Sequence, residues 1–258
     1  EDLHVLPHEL RERIVRFERV GDALATVDIV AAARRIAEAE GGLEQLVGVL
    51  EQLQIPVAEA RAELGLPGIP LEVAQNFIVK PPAGVASQAT FRARDEGELD
   101  EATQAVLAAA QGTALLEEMV TGSEHSFDAF VRNGELLYYS VTDYLPSCIV
   151  AMENPWIQWC AMLPRDYEAP EVAEVGLATL VALGLRTGVC HLEWFRRPDG
   201  SVVVSEVGAR PGGAQITTMI SRAHDVDYQG ALARFMLREE WSPFPPRKYA
   251  VGTAFLRG

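Results

Sequence analysis

The chain has 258 residues, 48% of them hydrophobic and 23% charged, which suits one large globular domain or two to three subdomains with cores of their own. Its 22 basic and 37 acidic residues give a net charge of −15, which excludes the broad basic footprint of a nucleic-acid or anionic-membrane surface. A small anionic ligand, held by a few local cations or a metal, remains compatible with that charge. No apolar run reaches the ~18 residues of a membrane span, and Glu1-Asp2-Leu3-His4 lacks the pattern of a signal peptide. Cys148, Cys160 and Cys190 are odd in number and show no CxxC spacing. They predict no disulfide framework or zinc site, and a reducing, cytoplasmic compartment. Cys190 precedes His191, but adjacent strand residues point to opposite faces, so buried packing is expected for it.

In chain order, residues 13–20 read as a strand. Residues 27–40 (VDIVAAARRIAEAE) read as a helix stopped at Gly41-Gly42, and 46–50 as a buried parallel strand. Residues 57–66 read as a second helix closed by Gly65-Leu66-Pro67-Gly68. The alternation predicts an open parallel α/β layer. Then come a strand at Phe77-Ile78-Val79-Lys80, a helix over 95–110 with an acidic start, and strands over 114–120, 126–132, 135–142, 189–195 and 201–207. A helix covers 171–183, and a last strand lies over 249–256. Arg132-Asn133-Gly134-Glu135 and Arg197-Pro198-Asp199-Gly200 carry hairpin-turn residues. The second part thus reads as α+β following α/β. Val73-Ala74-Gln75-Asn76 runs as a helix straight into the strand at Phe77 with no turn residue between. Since connections usually take roughly 4–6 residues, residues are expected to be missing there, and the chain is expected to be cut short inside its last strand.

The densest chemistry lies in His191-Leu192-Glu193-Trp194-Phe195, a turn at Asp199-Gly200, and Glu206-Val207-Gly208-Ala209-Arg210-Pro211-Gly212-Gly213. His191 and Glu193 share a strand face, and the hairpin should bring Glu206 opposite Glu193. Two facing carboxylates repel unless a cation lies between them, and Mg²⁺ favours a few carboxylate oxygens plus substrate phosphates. Arg210 is placed to grip a phosphate or carboxylate, and Gly208, Gly212 and Gly213 would let backbone N–H groups approach an anion. The alternative is a solvated hairpin whose glycines only turn the chain; the attached G-A-R-P-G-G favours the site.

The facing glutamates followed by this glycine-arginine segment resemble the metal and phosphate site of the ATP-grasp superfamily. Phe77-Ile78-Val79-Lys80-Pro81-Pro82 resembles the strand bearing the family's phosphate-binding lysine, which puts that role on Lys80, with a lid loop over 83–90. Residues 116–126 (LEEMVTGSEHS) resemble the segment that leads from the lid to the C-terminal part. The resemblance assigns adenine contacts to Glu117, Glu118, Met119 and Val120, and a place near the ribose or a lysine to Glu124. It assigns Mg²⁺, with Mn²⁺ as an alternative, to Glu193 and Glu206, and transition-state stabilisation to Arg210 and Lys80. The implied fold is α/β and α+β: a pre-ATP-grasp parallel α/β domain over 1–76, a lid subdomain over 77–120 and a C-terminal mixed-sheet catalytic subdomain over 121–258. The implied activity is an ATP-dependent carboxylate–amine ligase of the L-amino-acid-ligase branch, acting through an acyl phosphate. Its partners would be small carboxylate and amine substrates, with neither nucleic acid nor membrane, and a homodimer is compatible. The alternatives are a purine-biosynthetic or biotin-carboxylase-like enzyme, or a non-catalytic ATP-binding module.

Three features depart from the family pattern. Gly208 stands where an Asn is usual, Ala86 stands where the lid often has a second glycine, and the second ATP-binding lysine expected ahead of Phe77 is absent from the sequence. No Walker A or GxGxxG sequence offers another nucleotide site. His191 reads either as a residue that orients a ligand or as a satisfied core histidine. Trp156 and Trp159 read as packing residues or pocket walls, and Arg222 as a solvated helix residue or a carboxylate grip.

Overall fold

A computed structural model describes residues 6–50, 53–71, 96–109, 120–166 and 169–256. The chain divides into two compact units, residues 1–71 and 72–258. The first is a helix pair. After a single turn, α1 (His8–Arg11), helix α2 (Thr26–Glu40) packs on α3 (Gln54–Leu64) through Ile29, Val30, Val57 and Ala60. Both long helices stop where the sequence predicts. Gly41 (φ 80°) and Gly65 (φ 67°) adopt the left-handed conformation that glycine enters without a Cβ penalty, and each donates to a carbonyl of its helix's last turn.

The strands expected over 13–20 and 46–50 do not appear; among the described residues of this unit no strand pairing occurs. The physical reason is local. Val20 and Leu46 turn inward onto the α2–α3 core, while Val15, Phe17, Val49 and Leu50 are exposed. Buried Arg61 donates to the Leu46 carbonyl (3.1 Å), taking an acceptor that a ladder would otherwise use, and to the Ile69 carbonyl (2.9 Å).

The second unit opens, among its described residues, with α4 (Glu96–Ala109). Six strands follow: β1 (Ser123–Arg132), β2 (Glu135–Leu145), β3 (Trp159–Leu163), β4 (Gly188–Arg196), β5 (Val202–Gly208) and β6 (Val251–Phe255). They form one sheet of order β5-β4-β1-β2-β3-β6. All the pairings are antiparallel, so the mixed character lies in helices against a sheet and not in strand direction. The β1–β2 turn uses Asn133 (φ 55°) and Gly134 (φ 80°), the paired positive φ values that match strand twist in a two-residue hairpin.

Strand alternation sorts side chains onto two faces. On one, Phe127, Leu192 and Trp194 lie buried, and helix α6 (Pro170–Ala182) covers them so closely that a Cβ on its Gly176 would sit 2.8 Å from Phe127 Cε1. On the other, Phe130, Tyr144, Leu163 and Val189 form a core with α7 (Ile216–His224) and α8 (Tyr228–Arg238). This second face continues beyond the apolar core into a polar band on β1, β2, β4 and β5. A short helix, α5 (Cys148–Glu153), leads into β3. Cys190 is buried as expected, and burial pushes its thiol pKa up.

Candidate active site

The polar band begins on β1, where Glu124, Ser126 and Asp128 share one face and are 6%, 0% and 2% exposed, with His125 and Phe127 between them on the other face. Opposite them on β4, Ser126 pairs with Glu193 and Asp128 with His191. The Ser126 hydroxyl donates to Asp128 Oδ2 at 2.7 Å, and His191 Nδ1 lies 2.9 Å from Asp128 Oδ1. The other ring nitrogen of His191, Nε2, lies 3.6 Å from Glu193 Oε1. Burial by itself pushes the His191 pKa down; the adjoining Asp128 and Glu193 carboxylates outweigh it and raise the value to about 10. The ring thus lies buried between two carboxylates, both of which favour its protonated form. Tyr144 (5% exposed) closes the floor beside Ser126, its pKa raised by burial and then by Glu193 and Asp128.

The next strand completes the row. Glu206 stands opposite Glu193, and Gly208 opposite His191. The turn alone does not give this register. From Arg196↔Val202 to Trp194↔Val204 the strands pair regularly, which would put Ser205 opposite Glu193. A bulge between Glu193 and Trp194 takes up Ser205 and brings Glu206 into line. Bulges of this kind re-aim side chains and concentrate beside active sites.

Beyond β5 the glycine-arginine segment folds back over the band. A Cβ on Gly212 would lie 2.3 Å from Asp128 Oδ1 and 3.1 Å from His191 Nδ1, so only a glycine lets the backbone approach this closely. A Cβ on Gly208 would meet Arg210 Cγ at 3.2 Å, showing that the arginine side chain lies along this glycine. Arg210 Nη1 donates to the Pro211 carbonyl at 3.1 Å. At Gly213 a Cβ would meet nothing within 4 Å, and its carbonyl accepts from Ile216 N–H (2.8 Å) at the start of α7.

The structure thus brings together Glu193, Glu206 and the segment bearing Arg210. Glu124 occupies the same sheet face, and its Oε2 accepts from the Cys148 N–H at 2.6 Å. Val120 is half-buried just before β1. Lys80, Glu117, Glu118, Met119, the loop over 83–90 and the junction at 73–77 lie outside the described residues. Trp159 packs against Phe255 and Tyr144, whereas Trp156 is 75% exposed and Arg222 is exposed on α7. Ser126 and Asp128 escape the sequence reading; their signal is the run of polar residues Glu124, Ser126 and Asp128 on one strand face, which matters only once β1 is known to lie beside β4.

Among the described residues no cluster of three or more His, Cys, Asp or Glu side chains is arranged as a metal cage. A facing carboxylate pair is instead the donor set that suits an ion sharing its shell with phosphate oxygens. A family model described as an ATP-grasp domain matches residues 73–219, more than half of the chain. The chain belongs to the ATP-grasp family. The matched span contains all the residues just described on β1, β4 and β5 and in the glycine-arginine segment.

Among relatives, the L-arginine-specific L-amino acid ligase of Bacillus subtilis is 26% identical over 113 residues, covering 43% of this chain and 27% of that enzyme. The crystal structure of an L-amino acid ligase from Bacillus licheniformis superposes with a TM-score of 0.62 at 20% identity, over 83% of this chain and 60% of that one. Phosphoribosylglycinamide synthetase from Anaerococcus prevotii gives 0.56 at 14% identity, over 89% and 66%. The structural likenesses establish the ATP-grasp fold. The chain spans less than two thirds of each of these relatives.

Proposed function

We propose that the protein is an ATP-dependent carboxylate–amine ligase that releases ADP and phosphate, with amino acids as its substrates. The observation that carries this reading is the facing pair Glu193 and Glu206, set by the bulge at Ser205 beside a glycine-arginine segment, in an ATP-grasp chain. A substrate carboxylate oxygen attacks the γ-phosphorus of ATP, ADP leaves, and the amine then attacks the acyl carbon and displaces phosphate. Such phosphoryl transfer needs positioning and charge stabilisation above all. Glu193 and Glu206 would hold Mg²⁺, which supplies charge neutralisation to the phosphates. Arg210 and Lys80 would stabilise the transferred group, and Glu117 to Val120 together with Glu124 would hold the nucleotide. Sequence likeness to an L-amino acid ligase supports amino acids over bicarbonate, formate or sugar amines as substrates. Three free cysteines, and the absence of any helix among the described residues long and apolar enough to cross a membrane, agree with the proposed cytoplasmic setting.

The test is ADP release with Mg-ATP and a panel of amino acids, against bicarbonate, formate and sugar amines. Amino-acid-dependent release is expected, and Glu206→Gln should lower it by about 100-fold or more, in the range seen when a transition-state charge contact is lost. Near-normal turnover in that variant would sink the metal assignment. Release driven by bicarbonate or a sugar amine alone would transfer the chain to the biotin-carboxylase-like or purine-biosynthetic reading. Nucleotide binding with no release on any substrate would leave only a binding module.

A further inference from the structure

We propose that Asp128 is a positioning residue of this site, one buried carboxylate that sets both the metal-holding strand and the arginine loop. The inference rests on the ligase reading and deepens it. Asp128 reaches Glu193 through the His191 ring. Its Oδ1 meets His191 Nδ1 at 2.9 Å, and the opposite nitrogen of that ring lies 3.6 Å from Glu193 Oε1. The ring is thus held at one end by Asp128 and presents its other end to Glu193. The same Oδ1 lies where a Cβ on Gly212 would approach to 2.3 Å, so the backbone of the segment carrying Arg210 rests on this carboxylate. Oδ2 is fixed in turn by the Ser126 hydroxyl at 2.7 Å.

Stability alone does not call for this arrangement. Ser126 and Asp128 are 0% and 2% exposed with fully buried Phe127 between them, and His191 is 5% exposed. A buried ion pair is a weak source of stability, and well-packed apolar residues often replace one at no loss. What apolar residues cannot do is fix the orientation of a ring that points at a metal-ligand candidate. Partners one shell out from a metal commonly do this, and their loss costs about 10–100-fold in metal affinity or activity.

Asp128→Asn keeps the shape and both contacts: its carbonyl can accept from His191 Nδ1–H and its amide can donate to Ser126 Oγ. Without the charge the bond that holds the ring loses about half its strength, so the ring is held less firmly towards Glu193. Mn²⁺ affinity, measured by calorimetry on the full chain with a non-hydrolysable ATP analogue present, is expected to fall about 10-fold or more. The kcat for ADP release should fall with it, while KM for the carboxylate substrate stays within about two-fold, the pattern of a contact used beyond the ground state. A folded Asp128→Asn with wild-type Mn²⁺ affinity and kcat would overturn the proposal. If that variant does not fold, Ser126→Ala decides: a smaller loss of the same kind supports the proposal, and unchanged affinity and kcat overturn it. Wild-type protein that neither binds Mn²⁺ with the analogue nor releases ADP would sink the ligase reading itself, a result read before any variant is made.

Discussion

Two histidines stand on adjacent strands of one sheet and face opposite ways. His191, on β4, lies between the Asp128 and Glu193 carboxylates under the backbone of Gly212. His125, on β1, bridges the Ser123 hydroxyl and the Asp143 carboxylate at 2.7 Å each and stacks on Trp194, ring centroids 4.5 Å apart. Each ring has two polar partners, so a count of partners does not separate them. What differs is the surroundings of the carboxylate. Asp128 is 2% exposed, so its charge must be met by protein; the Asp143 side chain is 28% exposed, so water shares the load. The same side chain in the same sheet is therefore shut in beside a buried carboxylate on one face and, though buried itself, tied to a partly exposed carboxylate on the other.

The sharpest break in this comparison comes from removing each ring. His191→Ala strands Asp128 in the interior without its cation, and losing one partner of a buried pair costs about 3–5 kcal/mol. Urea denaturation of the variant should show that loss in full. A change below about 1 kcal/mol would mean that water enters the band and that the pair is not a buried one. His125→Ala removes two partly wetted hydrogen bonds and a stacking contact, at about 1–3 kcal/mol together. It should also leave ADP release nearly intact, since the ring lies on the face turned away from Glu193 and Glu206. Equal losses from the two variants would erase the distinction between the faces.

The sequence reading reaches some of this and misses the rest for definite reasons. Helix ends at Gly41 and Gly65 are legible because a left-handed residue after a helix has a strong local preference for glycine. The facing of Glu193 and Glu206 is legible only approximately, because the turn sets one register and the bulge at Ser205 sets another. Asp128 is invisible as a partner of His191 because the two are 63 residues apart and meet through a pairing that no local pattern encodes. The strand β3 and helix α5 are missed because residues 148–163 carry no clean period, Trp156 being 75% exposed while Ala161 and Leu163 are buried. In the first unit the apolar runs at 13–20 and 46–50 resemble strands by composition, yet a strand needs a neighbour, and here the nearest apolar surface is a helix pair.

The smallest effect gives the finest test, because it isolates a single hydrogen bond at the exposed end of the His125 face. Ser123 lies at the exposed start of β1, and its hydroxyl meets His125 Nε2 at 2.7 Å. In Ser123→Ala water can take the vacated place, so the ring nitrogen keeps a partner and only the net value of one hydrogen bond is lost, about 0.5–1 kcal/mol. The corresponding hydroxyl on the other face, Ser126, is 0% exposed and bonds to the buried Asp128 carboxylate, so water does not reach it. Measured by denaturation, Ser123→Ala should therefore stay at or below that modest loss. A cost of about 2 kcal/mol or more would show that His125 is as tightly built in as His191. The two faces would then differ in charge alone and not in access to solvent.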